Sequence, residues 1–128
     1  YPGYKAGLAG FDNWINALES GKADGFGMAY NAVVWSECRN LAVKFLKEAK
    51  ERLDGELSSL FDEAVDHYEV VAQNLRKVSK TFPFQGPKTK GEEIKDRTRC
   101  RTTLESLRKA KKAEESGLES LEKILKRL

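Results

Sequence analysis

From Leu57 to Val78 the chain sets an apolar residue at nearly every third or fourth position: Leu57, Leu60, Phe61, Ala64, Tyr68, Val71, Leu75 and Val78. At 100° per residue these fall on one continuous stripe, the signature of a helix that buries one face. Such a helix needs other stripes to lie against.

Three more stretches supply them. Tyr4, Leu8, Phe11, Ile15 and Leu18 share a narrow arc and predict a first helix from about Tyr4 to Glu19, with Lys5, Asn13 and Asn16 facing outward. Val34, Cys38, Leu41, Ala42, Phe45, Ala49 and Leu53 give the expected core stripe of a second helix from about Phe26 to Leu53, with Lys44, Lys47, Glu48, Lys50 and Glu51 on its solvent face. Cys100, Leu104, Leu107, Ala110, Leu118, Leu121, Leu125 and Leu128 mark a long last helix. Its repeat is closer to 3.5 residues, so its C-terminal half suits a coiled-coil-like seam and allows a homo-oligomer.

The breaks between stripes are equally legible. Ser20 to Gly25 is a glycine-rich loop in which Asp24 can cap the helix that follows, and Asp54-Gly55 is a compact turn. Phe82 to Lys88 contains two prolines and cannot continue a helix, while Thr89-Lys90-Gly91-Glu92 has capping-box spacing and predicts the start of the fourth helix there. Short connections imply antiparallel neighbours. The expectation is an all-α fold, an antiparallel up-down bundle of about four helices, forming one domain over residues 1–128.

The longest uncharged run, Gly25 to Ser36, is well short of the roughly 20 apolar residues of a membrane span, so no membrane association is expected. The opening Tyr1-Pro2-Gly3-Tyr4 lacks an initiator Met, a basic segment and an apolar segment. It reads as a fragment or processed product without a signal peptide, with a cytoplasmic location expected.

Charge is unevenly spread: residues 1–87 carry 10 basic against 12 acidic side chains, and residues 88–128 carry 13 against 8. The basic excess includes Lys88, Lys90, Lys95, Arg97, Arg99, Arg101, Arg108, Lys109, Lys111 and Lys112, but Glu92, Glu93, Asp96, Glu105, Glu114 and Glu115 are mixed among them. With no aromatic residue in that helix to stack on bases, the stretch reads as a solvated face rather than a nucleic-acid surface.

Catalytic and metal chemistry find little support. The only histidine, His67, lies four residues after Glu63 where a di-iron bundle needs a spacing of three, repeated on a second helix. No serine has a histidine and acid arranged near it, and no phosphate-binding loop occurs. No catalytic residue, metal ligand or cofactor is assigned. Cys38 and Cys100 both fall on expected core stripes, which leaves two readings: a pair of small buried hydrophobes, or a disulfide.

Polar residues on apolar stripes carry more information. Asn31 falls on the Cys38 and Phe45 stripe and Glu114 in the middle of the last stripe, and a buried amide or carboxylate needs a partner. Asn31 also lies in the most aromatic part of the chain, with Phe11, Trp14, Phe26, Tyr30 and Trp35. Trp14, Tyr30, Asn31 and Trp35 are therefore the expected ligand- or partner-binding residues, against the plainer reading that Trp and Tyr seal the end of a core.

The pattern Gly7-Leu8-x-x-Phe11-Asp12-x-Trp14-x-x-x-Leu18, then Ala29-Tyr30-Asn31-Ala32 and Arg39-x-x-Ala42-x-x-Phe45-Leu46, resembles the helical C-terminal region of uncharacterised bacterial and archaeal proteins. Their N-terminal part is similar to the cysteine-peptidase-like acyltransferase of butirosin biosynthesis. Asp66-His67-Tyr68-Glu69 and the leucine-rich last helix also fit. The resemblance implies a helical accessory domain that packs on, or gates, a catalytic domain lying upstream, so no catalytic residue carries over. The expected function is a non-enzymatic accessory or interaction domain that meets another domain or protein, with a small-molecule-binding bundle as the alternative.

Overall fold

The computed structural model describes residues 3–53 and 55–128, and its regular structure is helical throughout. The helices are α1 (Leu8–Glu19), α2 (Gly25–Arg52), α3 (Ser58–Thr81) and α4 (Arg97–Leu125), with 3-10 turns at Gly55–Leu57 and Glu92–Lys95. Residues 1 and 2, and the Asp54 half of the expected turn, lie outside the described residues. Among the described residues no helix is long and apolar enough to cross a membrane.

The α3 stripe packs as its periodicity dictates: Phe61, Ala64, Tyr68, Val71, Leu75 and Val78 are all buried. Their side chains bind two apolar clusters into one core. One cluster joins Phe11, Trp14, Ile15 and Leu18 of α1 to Met28, Ala29 and Ala32 of α2, with Val71, Leu75 and Val78 of α3 and Leu107 and Ala110 of α4. The other gathers Val43 and Leu46, Phe61, Val65 and Tyr68, and Ile124. Each fully buried large side chain is worth about 1.5–3 kcal/mol.

Cross-helix pairs run in reversed order between neighbours. Arg76 meets Asn40, Lys47 meets Glu69, and Lys50 meets Asp62 across α2 and α3. Lys123 reaches Glu63 across α3 and α4. Tyr68 lies directly on Gly117, where an added Cβ would stand 2.7 Å from the ring. At the other end the backbones of Gly25 and Gly91 touch with no room for a side chain, and Gly91 holds a φ of +66° that glycine tolerates best.

Two boundaries and one buried face differ from expectation. Helix α1 starts at Leu8 rather than Tyr4, because Gly7 turns the chain at a φ of +60° and Tyr4 is left 88% exposed. The fourth helix starts at Arg97 rather than Thr89. Thr89 spends its hydroxyl inside the loop, accepting from the Gln85 amide and donating to the Gly86 carbonyl, and Gly91 in the left-handed region breaks any helix there. Asp96 caps instead, accepting from the amides of Thr98 and Arg99. The Asp24 cap is made as its sequence position indicates, with Oδ2 accepting from the Gly27 amide at 2.8 Å.

The third difference concerns the face that α2 buries. Met28, Ala29, Ala32, Ser36, Val43 and Leu46 point inward, while Leu41 is 62% and Phe45 69% exposed. Helix α2 is apolar on two sides, and the side with small residues admits the closest approach to α3. Of the expected stripe, Ala42 and Ala49 pack against the core and Val34 is half-buried, while Cys38, Leu41, Phe45 and Leu53 are turned away.

Candidate functional site

Where α1 crosses α2, the aromatic residues close on each other. The Phe11 and Trp35 rings meet edge to face at 4.9 Å, and Trp14 and Trp35 at 5.6 Å. Trp14 Nε1–H donates to Met28 Sδ at 2.9 Å, which fixes the indole against α2. Glycine at position 10 eases this crossing, since a Cβ there would stand 3.3 Å from the Trp35 ring, tighter than an ordinary contact. Beside these side chains lies an open cleft of about 440 Å³, whose rim includes Tyr4, Lys5, Lys22, Asp24 and Asn31.

Of the four residues expected to bind, Trp14, Asn31 and Trp35 line this cleft. Tyr30 does not. It is half-exposed on another side of α2, stacked with Phe26 and set edge to face with Phe84 of the loop after α3. Asn31 is exposed rather than buried, because the stripe that was expected to carry it inward is the one turned outward, and its amide has no partner among the described residues.

Glu114 is buried, as its place on the α4 stripe implied, and its partner is Arg39: Nε donates to Oε2 at 2.7 Å. The Arg39 guanidinium also lies 5.6 Å from the centre of the Trp35 ring. Tyr68 sits within the field of this pair. Burial pushes its hydroxyl pKa up, the Glu114 charge adds to the rise, and Arg39 opposes it. From the sequence, Lys5 stands out only as an outward residue and Arg39 only within the resemblance pattern, and neither Met28 nor Lys22 is marked, although Met28 precedes Trp35 by one heptad and so shares its face.

The thiols of Cys38 and Cys100 are free. Cys38 is exposed beside Arg39, whereas Cys100 lies fourteen residues before Glu114 on α4, about 21 Å at 1.5 Å per residue, so no disulfide joins them. Burial and then the Asp96 carboxylate push the Cys100 thiol pKa up.

A second surface continues from the cleft. On α4, Leu104, Lys111, Leu118 and Leu125 repeat at heptad spacing, and on α2 so do Asn31, Cys38 and Phe45. On α4, helix α1 covers only the first half of this track, while Asn31, Cys38 and Phe45 of α2 are all exposed. Leu104 packs against its cluster, Lys111 pairs with Asp12 at 2.8 Å, and Arg108 pairs with Glu19. Then α1 ends, and the preceding segment folds back, with Asn13 Nδ2 donating to the Gly3 carbonyl. Beyond it Phe45 is 69%, Leu118 37% and Leu125 70% exposed.

Charge divides α4 at the same place. From Arg97 to Lys112 there are seven basic residues and one acidic, whereas from Ala113 to the helix end at Leu125 there are four acidic and one basic, Lys123. The covered half of α4 is basic and holds the acids of α1; on its bare half Glu114 pairs with Arg39 and Glu115 with Lys111, which leaves Glu119 and Glu122 without an ion pair among the described residues. No protein family, curated protein or solved structure matches the chain.

Proposed function

We propose that the chain is an up-down helical bundle serving as a non-enzymatic interaction module, and that its docking surface is the bare half of the α2 and α4 track. The occupant is an amphipathic helix of a partner domain or protein, with an apolar stripe for Phe45, Leu118 and Leu125 and basic side chains for Glu119 and Glu122. The continuation of a heptad track past the end of α1 carries this reading. The covered half is its precedent within the molecule, since there an amphipathic helix lies on the same track with charges opposite to those of α4. An accessory domain packed on an upstream domain, as the sequence resemblance implies, is one form such a module takes.

A labelled synthetic helix with Leu at i, i+3, i+4 and i+7 and Lys on its flanks tests this by fluorescence anisotropy. Saturable binding is expected, about tenfold weaker for a Glu-flanked twin and lost in a Phe45→Ser/Leu118→Ser variant. Equal binding of both peptides, or binding unaffected by the double substitution, refutes the surface. Sedimentation of the chain alone should give a monomer; a dimer abolished by the same substitutions assigns the surface to a second copy and overturns the partner reading.

A further inference from the structure

The cleft between α1 and α2 is separate from the bare track and offers different chemistry. Its walls are aromatic and thioether: Trp14 buried, Trp35 half-buried, and Met28 behind them. Its volume of about 440 Å³ falls within the range of small-ligand sites and has room for a one- or two-ring molecule. Glycines at positions 10 and 27 keep backbone rather than side chains along the edges.

The free polar groups at the rim are mostly donors. Lys5 and Lys22 form no ion pair among the described residues, the indole N–H of Trp35 has no acceptor there, and the Asn31 amide is unengaged. The one acid of the rim, Asp24, already gives Oδ2 to the Gly27 amide as a helix cap. Two lysines against one capping carboxylate leave the rim positive. Apolar rings with an electropositive edge suit a flat molecule with an anionic end.

We propose that this cleft is a binding site for a small aromatic carboxylate, its rings against Trp14 and Trp35 and its carboxylate held at the lysine-bearing rim. Trp14 and Trp35 are the only tryptophans of the chain, so their two indole N–H resonances report on the site directly. The experiment is a ¹H–¹⁵N titration of the full chain with naphthalene-2-carboxylate and, in parallel, the neutral naphthalene-2-carboxamide.

Saturable shifts of both indole signals and of the Gly10, Gly27 and Asn31 amides are expected, with the carboxylate about tenfold tighter than the carboxamide. A Lys5→Met/Lys22→Met variant, both positions being exposed and outside the core, should keep the fold and lose that preference. The site is overturned if the signals do not saturate in the low-millimolar range, if the two probes bind alike, or if the shifts gather around Phe45 and Leu118. The last outcome would leave the docking track intact, and loss of peptide binding there would leave this cleft intact.

Discussion

The Arg39 and Glu114 pair joins α2 to α4 at mid-length, and its removal from one side should be costly. Glu114 is 5% exposed, while the Arg39 side chain keeps 23% of its surface in water. A fully buried charge stripped of its partner costs about 3–5 kcal/mol. Water reaching the arginine side offsets part of that, so Arg39→Met, which keeps the stem over Trp35, should cost about 2–4 kcal/mol. Glu114→Leu leaves the better hydrated partner behind and should cost about 1–2 kcal/mol. The double variant Arg39→Met/Glu114→Leu strands neither charge and should return to within about 1 kcal/mol of the parent. Urea unfolding of all four proteins closes the cycle, provided the slopes agree. The argument fails if Arg39→Met lies within about 0.5 kcal/mol of the parent, or if the double variant falls by the sum of the singles.

Gly117→Ala should gain about 1 kcal/mol of helix propensity but drive a Cβ to 2.7 Å from the Tyr68 ring, for a net loss of about 1–2 kcal/mol, whereas Gly55→Ala, with open space, should stay near the parent; equal effects in urea melts would contradict the packing. Because the Tyr68 pKa is raised above its unfolded value of 10.0, its contribution is complete below that pH and drains away as pH rises through the folded value. Urea stability measured from about pH 8 to 11 should therefore fall less steeply in Tyr68→Phe, and parallel curves would refute this. An aromatic disulfide reagent at mildly alkaline pH should label exposed Cys38 quickly and Cys100 slowly, and two equally fast thiols would be inconsistent with the raised Cys100 pKa. Asn31→Ala should leave the melt within about 0.5 kcal/mol of the parent, while Trp35→Ala should lose about 2–4 kcal/mol; a reversed order would place Asn31 in the core after all.

Legibility followed the strength of the periodic signal. Helix α3 has one apolar face, and every stripe residue read from its sequence is buried or half-buried. Helix α2 has two, and by periodicity alone the heavier one, with Leu41 and Phe45, is the expected core face. Periodicity weighs hydrophobicity, but close approach of two helices is decided by size, and the Ala29, Ala32 and Ser36 side wins on that ground. The capping box at Thr89 failed for a tertiary reason: the backbone contact of Gly91 with Gly25 links residues far apart in sequence and fixes a left-handed turn there. Three of the four expected site residues nevertheless reached one cleft, because the Gly21 to Gly27 connection returns α2 beside α1 whichever face of α2 is buried.

The cleft and the bare track have one origin, the length and register of α1. Its register is set by the burial of Phe11, Trp14, Ile15 and Leu18 in the core, and charge agrees with it: Asp12 and Glu19 find Lys111 and Arg108. Sliding α1 by one heptad toward the C-terminal end of α4 would bring those carboxylates against Glu115, Glu119 and Glu122 and exchange two attractions for repulsions. Its length is set by the backbone, since Gly10 admits the Trp35 ring and Gly7 turns the chain at positive φ one residue before the helix begins. A longer α1 would need the turn at Gly7 to become helical and would then meet the acidic half of α4. With α1 held there, Trp35 forms the wall of the cleft on one side, and on the other the Arg39 and Glu114 pair closes the covered core before Phe45 and Leu118 emerge into solvent. The exposed apolar residues are thus what remains when a twelve-residue helix lies on helices of 28 and 29 residues, and Glu119 and Glu122 beside them would repel the acids of α1.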